Sequence, residues 1–447
     1  MIQQLSLRNF KTFRDSTVSF GPVSIVLGSN GAGKSNLFDA LRFLKAIGDG
    51  RSVRDAIEGH ISPAGSATAT VGIRGGATAV THLLEQTDEF ELSVTLEVPL
   101  LGTLHYYVQV DARHYRIVQE ELSSPQHGGQ YVYSTRPETG ILKQDAESPV
   151  VLARFHKDTR GINPRREFSA HEFILSQFVS RRAESRLNES FADAAREEFS
   201  SIRPLELRPE VLRQYSPLGR FELGEHGENF AAVVWRLHQD SRISAAQRAR
   251  QDSGETARRL DSEIAPDDRW NAICAWLSEL TPRTITSIGT IQSPTGEAVF
   301  AVREEPYDDL IPAPSLSDGT LRFAALTLAA LGAQGRSTLV IEEIENGINP
   351  ARLSLLIKML EQAADNDTSQ SDADAQVQVI ASTHSPHLLD YASARTIRES
   401  IVIGWDHERM SSHPVTISKL PEFSKVASRR TIGELQAEGW LQVAADI

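Results

Sequence analysis

The chain has 447 residues and a formal net charge of −13, long enough for more than one core yet also accommodated by one α/β unit with a large insertion. Its 59 Asp and Glu against 46 Lys and Arg exclude a protein coated in positive potential, though not a local basic groove. One cysteine, Cys274, excludes an intrachain disulfide, and with no basic-then-apolar N-terminus and no stretch near the length of a membrane span, a soluble cytoplasmic protein is expected.

The opening segment alternates, with Ile2, Leu5 and Leu7 against polar neighbours and then Phe10, Phe13, Val18 and Phe20, which predicts an edge hairpin. The apolar run Val23 to Leu27 leads into Gly28-Ser29-Asn30-Gly31-Ala32-Gly33-Lys34-Ser35 and then a helical pattern from Asn36 to Leu41. Strand, glycine loop and helix are what a phosphate chain needs, because several backbone N–H groups must point inward where side chains would obstruct them. The spacing matches G-x-x-x-x-G-K-[ST] in full. Lys34 is placed to reach the β/γ-phosphates and Ser35 to ligate Mg²⁺, with the positive helix N-terminus behind them. Gly28, Asn30, Gly31, Gly33 and Asn36 complete the expected nucleotide contacts, and ATP and Mg²⁺ are the expected cofactors.

Strand-like segments follow at Thr68 to Ile73, Phe90 to Val98, Thr103 to Val110 and Gln130 to Tyr133, predicting an antiparallel layer beside the nucleotide core. From Arg154 to Arg186, basic residues interleave with Phe155, Phe168, Phe173 and Phe178. That pattern suits a phosphate-tracking surface, but Asp158, Glu167, Glu172 and Glu184 dilute it and favour a solvated or subunit-contact face. Glu189 to Phe199, Glu228 to Leu237, Ile243 to Leu260 and Arg269 to Leu280 read as helices, the third broken by Gly254. No heptad pattern persists among them, which excludes a long coiled-coil arm. Two strands, Thr284 to Ile291 and Glu297 to Val302, are then expected to return to the core.

Ser317-Asp318-Gly319 opens an apolar helix from Leu321 to Leu331, which makes either an ordinary N-cap or a second anion site. Thr338 to Ile341 is a buried-type strand delivering Glu342 and Glu343 at its carboxyl end, where ligands sit in parallel sheets. In this Walker B reading Glu342 holds Mg²⁺ and Glu343 orients or deprotonates the attacking water, because strand neighbours point to different faces. The acidic, Ser-rich stretch Asp365 to Asp374 reads as a disordered loop. After a strand at Val377 to Ile380 comes Ala381-Ser382-Thr383-His384-Ser385-Pro386.

Phosphate loop, Ser-x-Gly helix start, acid-ended strand and Ser-Thr-His-Ser turn, in that order, resemble ABC-type ATPases over nearly the whole chain. Through Leu7-Arg8-Asn9-Phe10-Lys11, Ile341-Glu342-Glu343-Ile344-Glu345-Asn346-Gly347 and Ser382-Thr383-His384-Ser385, the chain resembles more closely the RecF-like ATPases akin to the ATPase half of OLD proteins. The resemblance implies an α/β fold: an ABC-type P-loop core of mixed sheet flanked by helices, with an antiparallel β layer and a helical lid. Residues 1–180 would form the N-terminal half of the core, 181–283 the lid and 284–447 the C-terminal half. It implies a head-to-tail homodimer in which Ser317 and Gly319 cover the γ-phosphate held by the other subunit. His384 would be the switch histidine on that phosphate. Gln177 would be the glutamine that contacts Mg²⁺, with Gln109 and Gln130 as rivals, and Lys11 a further candidate for the nucleotide. Asp318, Glu342, Ile344 and Asn349 depart from the commoner residues at their positions, the last two leaving the geometry after the catalytic acid open.

Three roles fit such an ATPase. It could be the sensor or regulatory subunit of a phage-defence system, controlling a separately encoded effector such as a nuclease. It could be a repair or loading ATPase like RecF that binds DNA directly, or a self-contained nuclease of OLD type. About sixty residues follow His384, too few for the metal domain the third requires.

Overall fold

Three of the strands around the phosphate loop are mostly apolar, broken only by Ser24, Ser337, Thr338, Gln378 and Ser382, and this decides where they sit. Val23–Leu27, Ser337–Ile341 and Val377–Ser382 are buried at every position, as strands covered on both faces must be. They lie at the centre of a six-stranded sheet in the order Ile202–Leu205, Ser337–Ile341, Val377–Ser382, Val23–Leu27, Ile401–Asp406, Ser411–Thr416. Every pair is parallel except the last, so the sheet is mixed. The structure, a computed structural model, describes residues 1–60, 70–125, 131–136, 149–157, 162–179, 186–219, 222–252, 268–280, 284–332, 335–365 and 376–446.

An eight-stranded antiparallel sheet forms the second layer, running from Arg165–Ser169 through Val150–Phe155, Tyr131–Ser134, Arg116–Ser123, Gly102–Asp111 and Glu89–Val98 to the hairpin Ile2–Phe10 and Phe13–Ser19. Its strands alternate, with Phe90, Leu92, Val94, Leu96 and Val98 all buried along one of them. The phosphate-loop helix, Lys34–Gly48, lies between the layers. Its Leu37, Phe38, Leu41 and Phe43 share a core with Phe90 of the antiparallel sheet and with Val26, Val340 and Ile380 of the mixed sheet, and the Phe43 and Phe90 rings meet edge-to-face at 5.3 Å. A helix clamped on both sides holds the loop at its N-terminus rigidly.

The expected lid is different in kind. Helix Arg186–Ser200 packs into the main core through Phe191, Ala195 and Phe199, and Ile202–Leu205 is an edge strand of the mixed sheet, so both belong to the nucleotide core. Ile285–Gln292 and Glu297–Glu304 join neither large sheet, but their Ile285, Ile288, Val299 and Phe300 share a hydrophobic core with Val23, Leu27, Leu339 and Ile341 of the mixed sheet. The two strands pair with each other, and Ser216–Pro217 and Ile311–Pro312 flank the second, in a small sheet of their own. Helices Phe230–Asp252 and Asp268–Leu280 cover it, with Phe230 against Phe300 at 4.7 Å. The first of these runs unbroken where two helices were expected, with Arg236 and Asp240 paired one turn apart in its polar stretch. Gly254 and nearly all of the acidic 365–374 stretch lie outside the described residues.

The phenylalanines of the basic cluster face inward: Phe155, Phe168, Phe173 and Phe178 are buried, the first and last stacked at 5.1 Å. They offer no platform for bases. Among the described residues no helix is long and apolar enough to cross a membrane.

Candidate nucleotide-binding site

Between Leu27 and Lys34 the chain turns through backbone angles that only glycine tolerates. Gly28 has φ +150 and Gly33 φ +111, and a Cβ on them would stand 2.9 Å from Ile403 O and 2.5 Å from Ser412 Oγ. Gly31 is left-handed too, at the exposed tip beside Asn30. The loop is braced from outside by a chain of hydrogen bonds. Asn36 Nδ2 donates to Thr12 Oγ1 at 2.9 Å, and Ser412 Oγ lies 2.6 Å from both Thr12 Oγ1 and Ala32 O. Asn36 is thereby engaged with the brace, and neither Thr12 nor Ser412 carries any motif that would have marked it in the sequence.

Lys34 curls over the loop, donating from Nζ to Gly28 O at 2.5 Å and Ser29 O at 3.1 Å. Burial pulls its ammonium below the ordinary lysine range, while Glu343 and Glu345 pull it back up. Glu343 and Glu345 thus both act on the lysine. Ser35 Oγ donates to Glu342 Oε2 at 3.3 Å, which brings together the hydroxyl and the carboxylate expected to hold Mg²⁺. Two hard oxygen donors suit that ion, which keeps several waters and takes its remaining ligands from phosphate. Among the described residues no group of three or more His, Cys, Asp or Glu could hold a metal without such help.

Around this pair runs an ionic network. Arg42 reaches Glu342 at 3.1 Å, Glu225 at 2.6 Å and Asp39 at 3.3 Å. Lys11 is paired with the fully buried Asp39 and also donates to Arg74 O, so its charge is held by the protein rather than offered to a ligand. Arg74 bridges Asp39, Ser35 O and Glu342.

Glu343 sits at φ +50, an angle costly for a non-glycine residue and typical of functional turns. The turn is held from two sides: Glu343 N–H donates to Ser382 Oγ at 3.0 Å, and Arg322 Nη2 donates to Glu343 O at 3.3 Å. The result is a half-exposed carboxylate whose Oε1 lies 3.7 Å from His384 Nε2, close but beyond a direct hydrogen bond. Glu345 ties the two turns together, its Oε1 accepting from His384 N at 2.6 Å and Ser385 N at 3.1 Å. Ile344 is fully buried, and Asn349 caps the short turn Pro350–Arg352.

Ser317 caps helix Asp318–Leu331, its Oγ accepting from Thr320 N at 3.1 Å. Gly319 is required by a close approach, since a Cβ there would stand 2.6 Å from Gly347 O. Ser317 and Asp318 are exposed, and Asp318 pairs with Arg213 at 2.6 Å. Gln177 is not brought to the metal pair. Its amide bonds to the backbone of Ser169 and Glu172, and its neighbour Ser176 donates to Ile47 O at the far end of the phosphate-loop helix. Twelve residues at 1.5 Å rise separate that end from Ser35, about 18 Å. Gln177 thus lies toward the far end of the phosphate-loop helix from Ser35 and Glu342.

The fold and the convergence of these four segments define an ABC-type P-loop ATPase. A family model described as "AAA domain, putative AbiEii toxin, Type IV TA system" matches residues 166–390, and another AAA-domain model matches residues 4–197. The chain belongs to this AAA-domain family. It is 26% identical over 282 residues to the chromosome partition protein Smc of Bordetella petrii, covering 59% of this chain and 22% of that protein. It is 40% identical over 55 residues to the DNA replication and repair protein RecF of Trichodesmium erythraeum, 12% of this chain and 14% of that one. The matches thus span a minor part of both relatives. Similar solved structures include an SmcHead bound to the C-winged helix domain of ScpA, with TM-score 0.42, 12% identity and coverage of 94% of this chain and 99% of that one. Another is the SMC head domain from Thermotoga maritima, with TM-score 0.38, 12% identity and coverage of 93% and 98%. Likenesses this distant carry no argument about function.

Proposed function

We propose that this chain binds ATP with Mg²⁺ and hydrolyses it. The observation that carries the reading is the 3.3 Å contact between Ser35 Oγ and Glu342 Oε2, formed across 307 residues beside a lysine buried in the phosphate loop. Lys34 would bind the β/γ-phosphates, and Gly28, Asn30, Gly31 and Gly33 would supply the cradle. Mg²⁺ held by Ser35 and Glu342 would neutralise charge developing on the phosphate oxygens. Glu343 would orient the attacking water and accept its proton, with His384 beside it on the γ-phosphate. The exposure of Glu343, His384, Ser317 and Asp318 supports a site completed by the signature of a second copy, head to tail. Residues 1–205 and the segments from Leu316 onward form the ATPase core in this reading, and the helix-and-sheet unit between them moves with the signature.

The nucleotide state would govern a separately encoded effector, a reading supported by the family's description as a putative AbiEii toxin of a Type IV TA system. The alternative, direct action on DNA in the cytoplasm, draws on the names of the Smc and RecF relatives. ATP binding by calorimetry tests the site itself. Lys34→Ala should abolish productive binding, because the phosphates lose their main point charge while the core stays intact. Unchanged affinity in the variant would mean that the loop is not the site. Salt-dependent DNA binding by the ATP-bound protein separates the two roles.

A further inference from the structure

Arg74, which follows the short strand Thr70–Val71, is bonded to the same groups as the metal would be. Its Nη1 and Nη2 donate to Glu342 Oε2 and Oε1 at 3.2 and 3.0 Å, Nη2 also donates to Ser35 O at 2.6 Å, and Nε donates to Asp39 Oδ1 at 2.9 Å. The fork thus engages both oxygens of Glu342, one of which also accepts from Ser35 Oγ. Among the described residues, Lys11, Arg42 and Arg74 meet Asp39, Glu225 and Glu342, cation for carboxylate. A dication entering by itself would find each of these carboxylates already paired, with two guanidiniums on Glu342. One arriving on a triphosphate brings the negative charge with it.

Resting on the reading of Ser35 and Glu342 as the metal pair, we propose that Arg74 gates that pair. Its guanidinium competes with the divalent cation for Glu342, so the site takes metal only together with nucleotide phosphates. Arg42 and Lys11 cannot serve in this way, being 7% and 8% exposed and locked to other carboxylates. Arg74 is 43% exposed and has room to turn from Glu342 to a phosphate. The gate makes the order of assembly a property of one side chain, because metal in the medium cannot fill the site ahead of nucleotide.

The test is Mn²⁺ binding followed by electron paramagnetic resonance on the full chain without nucleotide. Arg74→Gln removes the charge and leaves Asp39 its partners Lys11 and Arg42. It should bind Mn²⁺ at least about tenfold more tightly than the wild type. Arg74→Lys, which keeps the charge but loses the fork, should fall between them. Adding Glu342→Gln to Arg74→Gln should remove the gained site. Equal Mn²⁺ affinity in wild type, Arg74→Gln and Arg74→Lys overturns the gate. A gain in Arg74→Gln that survives Glu342→Gln places the metal elsewhere and sinks the metal-pair reading instead.

Discussion

Glu345 touches no reacting atom in the proposed mechanism, yet it fixes the residue that does. By accepting from the backbone N–H groups of His384 and Ser385, it fastens the turn after Val377–Ser382 to the turn after Ser337–Ile341. Its other oxygen, Oε2, is buried without a hydrogen-bond partner, so the carboxylate is held in place by one side alone. Glu345→Ala should release the His384 turn and lower kcat by about tenfold to a hundredfold, the cost of misplacing a catalytic group by roughly an ångström, with ATP affinity little changed. Glu345→Gln keeps an acceptor oxygen and should restore most of the rate. A structural role would move stability in both variants equally, whereas a split between Ala and Gln in kcat, at constant ATP affinity, marks positioning. If both substitutions leave kcat untouched, the tie between the turns has no catalytic meaning.

The elements show how burial decides what a sequence reveals. Glu120 is fully buried in strand Arg116–Ser123, where its carboxylate accepts from Ile174 N at 2.7 Å, Leu175 N at 2.9 Å and Tyr133 OH at 2.8 Å. Burial raises its pKa above the ordinary 4.5, with these donors opposing the shift. An acid with a raised folded pKa binds more protons folded than unfolded, so its contribution to stability falls as pH rises from its unfolded value through its folded one. Glu120→Gln removes that loss, and the urea midpoint of the variant relative to wild type should rise as the pH is taken from the ordinary 4.5 up to neutrality. Glu120→Ala strands three buried donors and should cost about 2–5 kcal/mol at either end of that range. A pH-independent offset for Glu120→Gln would mean that Glu120 titrates alike in the folded and unfolded chain, contradicting the raised folded pKa.

The same logic separates what was legible from what was not. Val23–Leu27, Ser337–Ile341 and Val377–Ser382 could be read because strands buried on both faces are mostly apolar, and each runs straight into its motif. Ile202–Leu205 could not, being four residues with Pro204 inside and paired only across a long crossover to Thr338–Ile341. Arg165–Ser169 reads as a charged patch and is an edge strand whose Arg166 lies over the Phe155 ring at 5.8 Å. In the site, local motifs marked Lys34, Ser35, Glu342 and Glu343 and the family resemblance marked His384, and the fold brings Ser35 to Glu342 and Glu343 to His384. Arg74, Thr12 and Ser412 have no local signal, because each acts only through a contact made far along the chain.

At the scale of the whole molecule, the question is what closes over the open face of the site. If the signature acts across a two-fold interface, a Ser317→Arg subunit keeps a sound phosphate loop, and a Lys34→Ala subunit keeps a sound signature. Each should be inactive alone, and an equal mixture should recover about a quarter of wild-type hydrolysis if subunits exchange randomly. No recovery, with mixed dimers confirmed by mass, would assign the signature to its own subunit. A switch that moves a partner from mostly held to mostly released needs about 10⁴-fold different affinity between nucleotide states. Pull-down of a candidate effector with and without ATP reads that ratio directly.

All of this depends on one carboxylate being the catalytic base, and Glu343→Gln measures it. The amide conserves the shape of the turn but cannot accept the proton from the attacking water. ATP binding should therefore persist at the wild-type level while steady-state hydrolysis falls by about 10² to 10⁴. Hydrolysis at the wild-type rate by the Glu343→Gln protein would contradict the account and move the catalytic role away from the end of Ser337–Ile341.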